Sequence, residues 1–146
     1  AGAPDSDLAR ALADLLPRLR RDLRGEVRSD REARALYASD ASNYRVVPAA
    51  VVAPRDADDL AATVAMAADA GVPVTMRGAG TSIAGNAIGR GLIVDTSRHL
   101  AGILALDPDL VGVAGATVTV LPGTVLDDVN AAAAVHGTGL VTTCSN

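Results

Sequence analysis

Lysine, phenylalanine and tryptophan are missing from this 146-residue chain, and cysteine occurs once. Each absence closes off a class of function. Without lysine there is no phosphate loop of the G-x-x-x-x-G-K-[ST] type. With Tyr37 and Tyr44 as the only aromatics, the core is aliphatic, and a bound heterocycle would pack on Val, Ile, Leu, Met and backbone rather than on protein rings. A nucleic-acid surface built on aromatic stacking is excluded for the same reason. Cys144 alone makes no internal disulfide and fits a reducing, cytoplasmic compartment. No apolar run approaches the roughly 20 residues of a membrane span, and no basic leader precedes an apolar stretch. The net charge is −4, and eight of the thirteen arginines lie between Arg10 and Arg34, interleaved with Asp and Glu. That pattern is a solvated helical face and not a nucleic-acid patch.

What is present is a chain long enough for one domain that buries about two-thirds of its unfolded surface. Leu8, Leu12, Leu15, Leu16, Leu19 and Leu23 recur at helical spacing from Asp5 to about Leu23, with Asp5 or Ser6 as cap and Gly25 as stop. Pro17 inside this run predicts a break or kink. A short helix is expected over Arg31 to Tyr37, and 39–43 reads as loop. A strand at Ala49 to Val52, a helix over Ala57 to Ala70 capped by Asp56, and a strand at Val72 to Met76 form a β-α-β unit with parallel strands. The helix is expected to bury Leu60, Val64, Ala67 and Ala68.

Glycines at 78, 80 and 85 follow that second strand, in Val74-Thr75-Met76-Arg77-Gly78-Ala79-Gly80-Thr81-Ser82-Ile83-Ala84-Gly85-Asn86. Glycine permits positive φ and close approach, so successive amides can converge on an anion, and Arg77 adds a cation. The third glycine comes too late for G-x-G-x-x-G, and the segment from Ile83 to Gly91 is too glycine-rich to be the helix that a Rossmann fingerprint opens. A glycine-rich surface turn with an incidental arginine would have the same composition. Position separates the two readings, because ligands of open α/β sheets bind at the carboxyl ends of strands. A phosphate cradle for a pyrophosphate-containing cofactor is the reading this favours. Ser82 and Thr81 could serve the ligand or cap the loop's own backbone.

Strands follow at Gly91 to Asp95, Ile103 to Asp107 and Val111 to Leu121, the last two joined by an Asp107-Pro108-Asp109 turn as an antiparallel hairpin. A helix over Val125 to His136, capped by Thr124, and a strand at Gly139 to Thr143 complete an α+β chain. His99 and His136 have no partners at metal-ligand spacing, so no metal site is expected. Asp127 and Asp128 are adjacent on a helix start, where side chains diverge; they suit the helix dipole and not paired acid–base work.

Taken in order, these segments resemble the FAD-binding oxidoreductases of the vanillyl-alcohol oxidase or p-cresol methylhydroxylase type, in the glycolate oxidase and D-lactate dehydrogenase branch. The resemblance covers about residues 33 to 137 and rests on Tyr37-Ala38-Ser39-Asp40-Ala41-Ser42, Val51-Val52-Ala53-Pro54, Asp58-Asp59-Leu60, Arg77-Gly78-Ala79-Gly80-Thr81-Ser82 with Gly85, Asp95-Thr96-Ser97-Arg98 and Leu121-Pro122-Gly123. It implies a PCMH-type FAD-binding domain, a parallel β-α-β subdomain followed by the start of an antiparallel one. It also implies that Arg77, Gly78, Ala79, Gly80, Thr81 and Ser82 wrap the FAD pyrophosphate, that Gly85 and Asn86 lie nearer the flavin, and that Pro122 and Gly123 make a second contact. Thr81 stands where some relatives carry a histidine bonded to the flavin, so the resemblance implies noncovalent FAD. Cys144 has no such partner histidine and reads as inert.

No catalytic residue is assigned. The branch's H-G-L-x-F-x-P pattern is not followed beyond His136-Gly137, and its later motifs and substrate domain have no counterpart before Asn146. The chain therefore reads as an N-terminal helical segment, 1–45, and an incomplete FAD-binding domain, 46–146. The parent enzyme would oxidise a D-2-hydroxy acid such as lactate, glycolate or 2-hydroxyglutarate and pass electrons to an acceptor protein or quinone. Such an enzyme would be cytoplasmic or peripheral at the inner membrane. The rival expectation is a scaffold or oxidase-complex subunit that keeps the fold without catalysis.

Overall fold

Short runs of branched aliphatic residues build the centre of the molecule. The computed structural model describes residues 3–107 and 117–135. β1 (Glu26–Arg28), β2 (Ala50–Ala53), β3 (Val74–Arg77) and β4 (Leu92–Asp95) form one sheet in the order β1-β2-β4-β3. β4 pairs in parallel with both β2 and β3, whereas β1 is antiparallel to β2. The strands flanking the first crossover are therefore parallel, as the alternation of types implies, with β4 inserted between them. β2 and β4 are buried along their whole length, which is why they read as unbroken apolar runs.

Alternate residues of these strands face two layers. Ala50, Val52, Leu92 and Val94 share a cluster with Leu15, Leu19 and Leu23 of the helix α1 (Ala3–Asp22) and its end, and with Ala67 of the helix α3 (Ala57–Asp69). Val51 and Ile93 pack against Tyr37, which caps the short helix α2 (Arg31–Leu36). Asp30 begins α2, its carboxylate accepting the Ala33 N–H. A two-stranded antiparallel ribbon, β5 (Ile103–Asp107) and β6 (Thr117–Val120), and the helix α4 (Leu126–Val135) follow. No helix among the described residues is long and apolar enough to cross a membrane.

Several expectations need correction. α1 runs unbroken through Pro17 and starts at Ala3, so Asp5 and Ser6 lie inside it. A proline in a helix interior costs about 3 kcal/mol. Full burial of Leu15 and Leu19 on either side of it, at roughly 1.5–3 kcal/mol each, outweighs that. α3 buries Asp59, Thr63 and Ala67, while Val64 and Ala68 are exposed. The helix is rolled toward the sheet because the Asp59 carboxylate is needed below, where it accepts N–H groups from Arg24, Gly25 and Arg55 at 3.1, 2.7 and 3.0 Å. Thr124 does not cap α4; its hydroxyl donates to the Leu121 carbonyl at 2.7 Å and accepts the Gly102 N–H at 2.9 Å, closing the turn onto the ribbon. β1 was not anticipated, since a single valine between two charges carries no strand pattern. The β5–β6 pairing is antiparallel as expected; the turn at 108–109, the start of the last strand at 111–116, His136, the strand at 139–143 and Cys144 lie outside the described residues.

Candidate functional site

The loop after β3 leaves the sheet beside the end of β4. Arg77 and Asp95 are register partners, and Thr96 donates both its N–H (2.9 Å) and its hydroxyl (3.2 Å) to the Arg77 carbonyl. From there residues 78–91 run without helix or strand. Gly80 and Gly85 have φ of 77° and 81°, the left-handed region that glycine enters without strain.

A second segment laces this loop from outside. The Ala41 N–H donates to the Gly80 carbonyl at 3.1 Å, and the Ala87 N–H donates to the Asp40 carboxylate at 3.2 Å. That carboxyl is held below its ordinary range, chiefly by the hydrogen bond from Ser42. Tyr44 lies against Gly85, where a Cβ would stand 3.0 Å from the ring's Cδ2.

Arg77 turns inward. Its Nη1 donates to the carbonyls of Ser39 (3.0 Å) and Ala87 (3.2 Å), and its Cζ lies 5.2 Å from the centre of the Tyr37 ring. The Tyr37 hydroxyl donates to the buried Asp95 carboxylate, which also accepts the Ser97 N–H (2.8 Å) and hydroxyl (2.6 Å). Burial, then the bond to Asp95, pushes the Tyr37 phenol above its ordinary value, so it stays neutral as a donor.

Ser82 uses its hydroxyl oxygen within the loop, accepting the N–H groups of Ala84 (3.3 Å) and Asn86 (3.1 Å), while its proton remains available to a ligand. Thr81 and Asn86 are exposed. Among the described residues, no acceptor is paired with the N–H groups of Ala79, Gly80, Thr81 and Ser82. Successive open amides beside a positive-φ glycine are the donors from which backbone anion sites are built.

The two loops picked out in the sequence approach each other. A Cβ on Gly78 would stand 3.9 Å from the Pro122 carbonyl oxygen. Gly123 is fixed by its N–H to the Leu100 carbonyl at 2.8 Å, and a Cβ there would overlap the Thr96 carbonyl oxygen. Arg77, Gly78, Ala79, Gly80, Thr81, Ser82, Gly85, Asn86, Pro122 and Gly123 thus fall on adjacent loops at the carboxyl end of β3 and β4. Sequence reasoning misses Tyr37, Ser39, Asp40 and Asp95 as parts of this assembly, although all four stand in motifs of the family resemblance.

Comparison with known proteins bears on the family and the fold. Residues 48–145 match the family model described as FAD binding domain. The chain is 38% identical over 117 residues to D-2-hydroxyglutarate dehydrogenase of Pseudomonas putida, covering 78% of this chain and 11% of that protein. It is 32% identical over 97 residues to glycolate oxidase subunit GlcD of Bacillus subtilis, covering 65% of this chain and 20% of that protein. Among solved structures, p-cresol methylhydroxylase with substrate bound superposes with a TM-score of 0.64 at 14% identity, over 99% of this chain and 28% of that one. The chain thus spans 8% to 20% of the length of the curated relatives it matches. Three parallel strands with an antiparallel edge strand, a glycine loop at the carboxyl end and an attached antiparallel ribbon make the p-cresol methylhydroxylase fold, and the chain belongs to the FAD-binding domain family.

Proposed function

We propose that this chain is the FAD-binding module of a flavin-dependent oxidoreductase that oxidises a D-2-hydroxy acid of the lactate, glycolate or 2-hydroxyglutarate class. The observation that carries the reading is the run of open amides from Ala79 to Ser82, beside Arg77, in a chain of the FAD-binding family. That site suits a diphosphate: the donors are main-chain N–H groups held by a positive-φ glycine, and glycine leaves the approach unobstructed.

Gly78, Ala79, Gly80, Thr81 and Ser82 would hold the diphosphate, with Gly85 and Asn86 nearer the flavin and Pro122 and Gly123 as the opposing wall. Thr81 offers a hydroxyl and no nucleophilic nitrogen, so the cofactor would be held noncovalently. When bound, FAD supplies the hydride-accepting centre, and this chain's residues bind and orient it. The substrate class rests on the names of the relatives, four of which are D-2-hydroxyglutarate dehydrogenases and one a glycolate oxidase subunit. We further propose that residues 1–45, which hold α1, α2 and the edge strand β1, pack onto an FAD-binding unit of 46–146, that electrons leave to a protein or quinone acceptor, and that the enzyme works in the cytoplasm or at the inner membrane's face.

The full-length protein purified from its native host should be yellow and should bleach when a D-2-hydroxy acid is added without oxygen. Combining Arg77→Ala with Ser82→Ala should strip most of the flavin. Unchanged flavin content in that double variant would reject the loop as the cofactor site.

A further inference from the structure

Arginine beside an anion site is ordinarily read as the anion's partner, but the placement of this one points elsewhere. We infer that Arg77 is a positioning residue, which props the glycine loop from within so that the amides of residues 79–82 are preset for the diphosphate. The inference rests on the proposal that this loop is the cofactor site and assigns a division of labour inside it.

Four contacts define the arginine's place. Nη1 is bonded to two carbonyls from segments 48 residues apart in sequence, Ser39 and Ala87, and so ties the outer strap to the loop's return. The guanidinium carbon lies over the Tyr37 ring, 5.2 Å from its centre. On the loop side it lies against Gly80: a Cβ there would overlap Nη2 and stand 2.6 Å from Cζ and 2.9 Å from Nε. Tyr37 is itself fixed through its hydroxyl to Asp95, the register partner of Arg77. A closed path runs from the end of β4 through Tyr37 and the guanidinium to Gly80 and back along the loop to β3.

Arginine suits this place and lysine does not. The planar fork can serve two carbonyls while stacking on a ring, whereas an ammonium is a strongly hydrated point charge with no plane to stack. Diverting Nη1 to a phosphate would strip both carbonyls of their donor. The geometry also accounts for Gly80: any side chain there would evict the guanidinium.

The test compares Arg77→Lys, Arg77→Ala and Tyr37→Leu in the full-length protein after the flavin has been removed. FAD affinity is measured by quenching of flavin fluorescence, and amide exchange is followed in 78–87 and in β2 and β4. For a positioning residue, Arg77→Lys and Arg77→Ala both lose about tenfold or more in affinity, the scale of one lost charge-assisted hydrogen bond. Exchange in 78–87 then rises while β2 and β4 stay protected, and Tyr37→Leu, which keeps the cation but removes its platform, loses affinity in the same direction. Near-normal affinity in Arg77→Lys, or unchanged exchange in 78–87 of the flavin-free Arg77 variants, would overturn the inference and make the charge itself the ligand. The site reading fails separately, if wild-type protein binds FAD and the protection it gains lies outside 78–82.

Discussion

Asp59 gives the sharpest test of how the sheet and its helices are joined. Its carboxylate is buried at 4% exposure and receives three main-chain N–H groups, from Arg24 (3.1 Å), Gly25 (2.7 Å) and Arg55 (3.0 Å), fastening the α1–β1 turn and the β2–α3 turn to one point. Asp59→Ala leaves three donors without acceptors, at about 1–3 kcal/mol for each that stays dry. All three bonds are part-buried, so water reaches the freed donors in part, least at Gly25, which is packed so that a Cβ would overlap the Ala53 carbonyl oxygen. The sum is therefore nearer 3–4 kcal/mol than the ceiling of about 9, a large share of the roughly 5–15 kcal/mol that holds a domain together. Asp59→Asn, keeping one acceptor oxygen and losing the charge at the start of α3, should cost about half as much. Burial pushes the Asp59 carboxyl up, but the three amides and the Arg24 charge hold it below its ordinary value. Its contribution is thus fully present above about pH 4, the unfolded carboxylate range, and is lost as pH falls through the lower folded value. Native-state hydrogen exchange and urea unfolding of the intact protein check this. A loss below about 1 kcal/mol in Asp59→Ala, or a loss without faster exchange at Gly25 and Arg55, would refute the accounting.

Two further outcomes are expected. The Asp30 carboxyl is lowered to about 2, first by its hydrogen bond from Arg28 and then by the Ala33 amide, so α2 should keep its cap down to about pH 4 and fray between there and about pH 2. Exchange at Ala33 reports it, and a cap persisting below pH 2 would contradict the pairing. Gly91→Ala places a Cβ on the Pro73 carbonyl oxygen, backbone against backbone, where neither side can yield. The loss should be several kcal/mol, on the scale of core overpacking, and show as a fall in melting temperature or in soluble yield. An unaltered melting temperature would mean that the β3 and β4 entries are not packed as described.

The parts of the fold that sequence disclosed are those where pattern and environment coincide. β2 and β4 are buried on both faces and so are continuously apolar, and the glycine spacing from 78 to 85 announced a loop no helix could follow. Misreadings arose where a polar group is buried for a reason far away in the chain. Asp59 turns the α3 face because of amides 34 and 35 residues earlier, and periodicity, which counts only apolar residues, chose Val64 and Ala68 instead. The local cost of Pro17 is visible in sequence, whereas the burial of Leu15 and Leu19 that offsets it is not.

The same limit applies to the cradle. Composition showed that a cation, hydroxyls and glycines lie together, but not that the cation faces inward. That direction is set by Asp95, Tyr37 and Ser39, which stand 18 residues after Arg77 and 40 and 38 residues before it. An anion site of open amides needs a rigid backing more than it needs another charge, since amides that must be ordered on binding lose affinity to that ordering. Asp40 and Ala41, bonded to Ala87 and Gly80, supply the outer half of the backing, and Arg77 on Tyr37 supplies the inner half. The strap from Tyr37 to Tyr44 precedes the stretch matched by the family model, which starts at residue 48, yet its Asp40 and Ala41 are bonded directly to the glycine loop, so on the reading proposed above it would back the cofactor site together with Gly78 to Ser82.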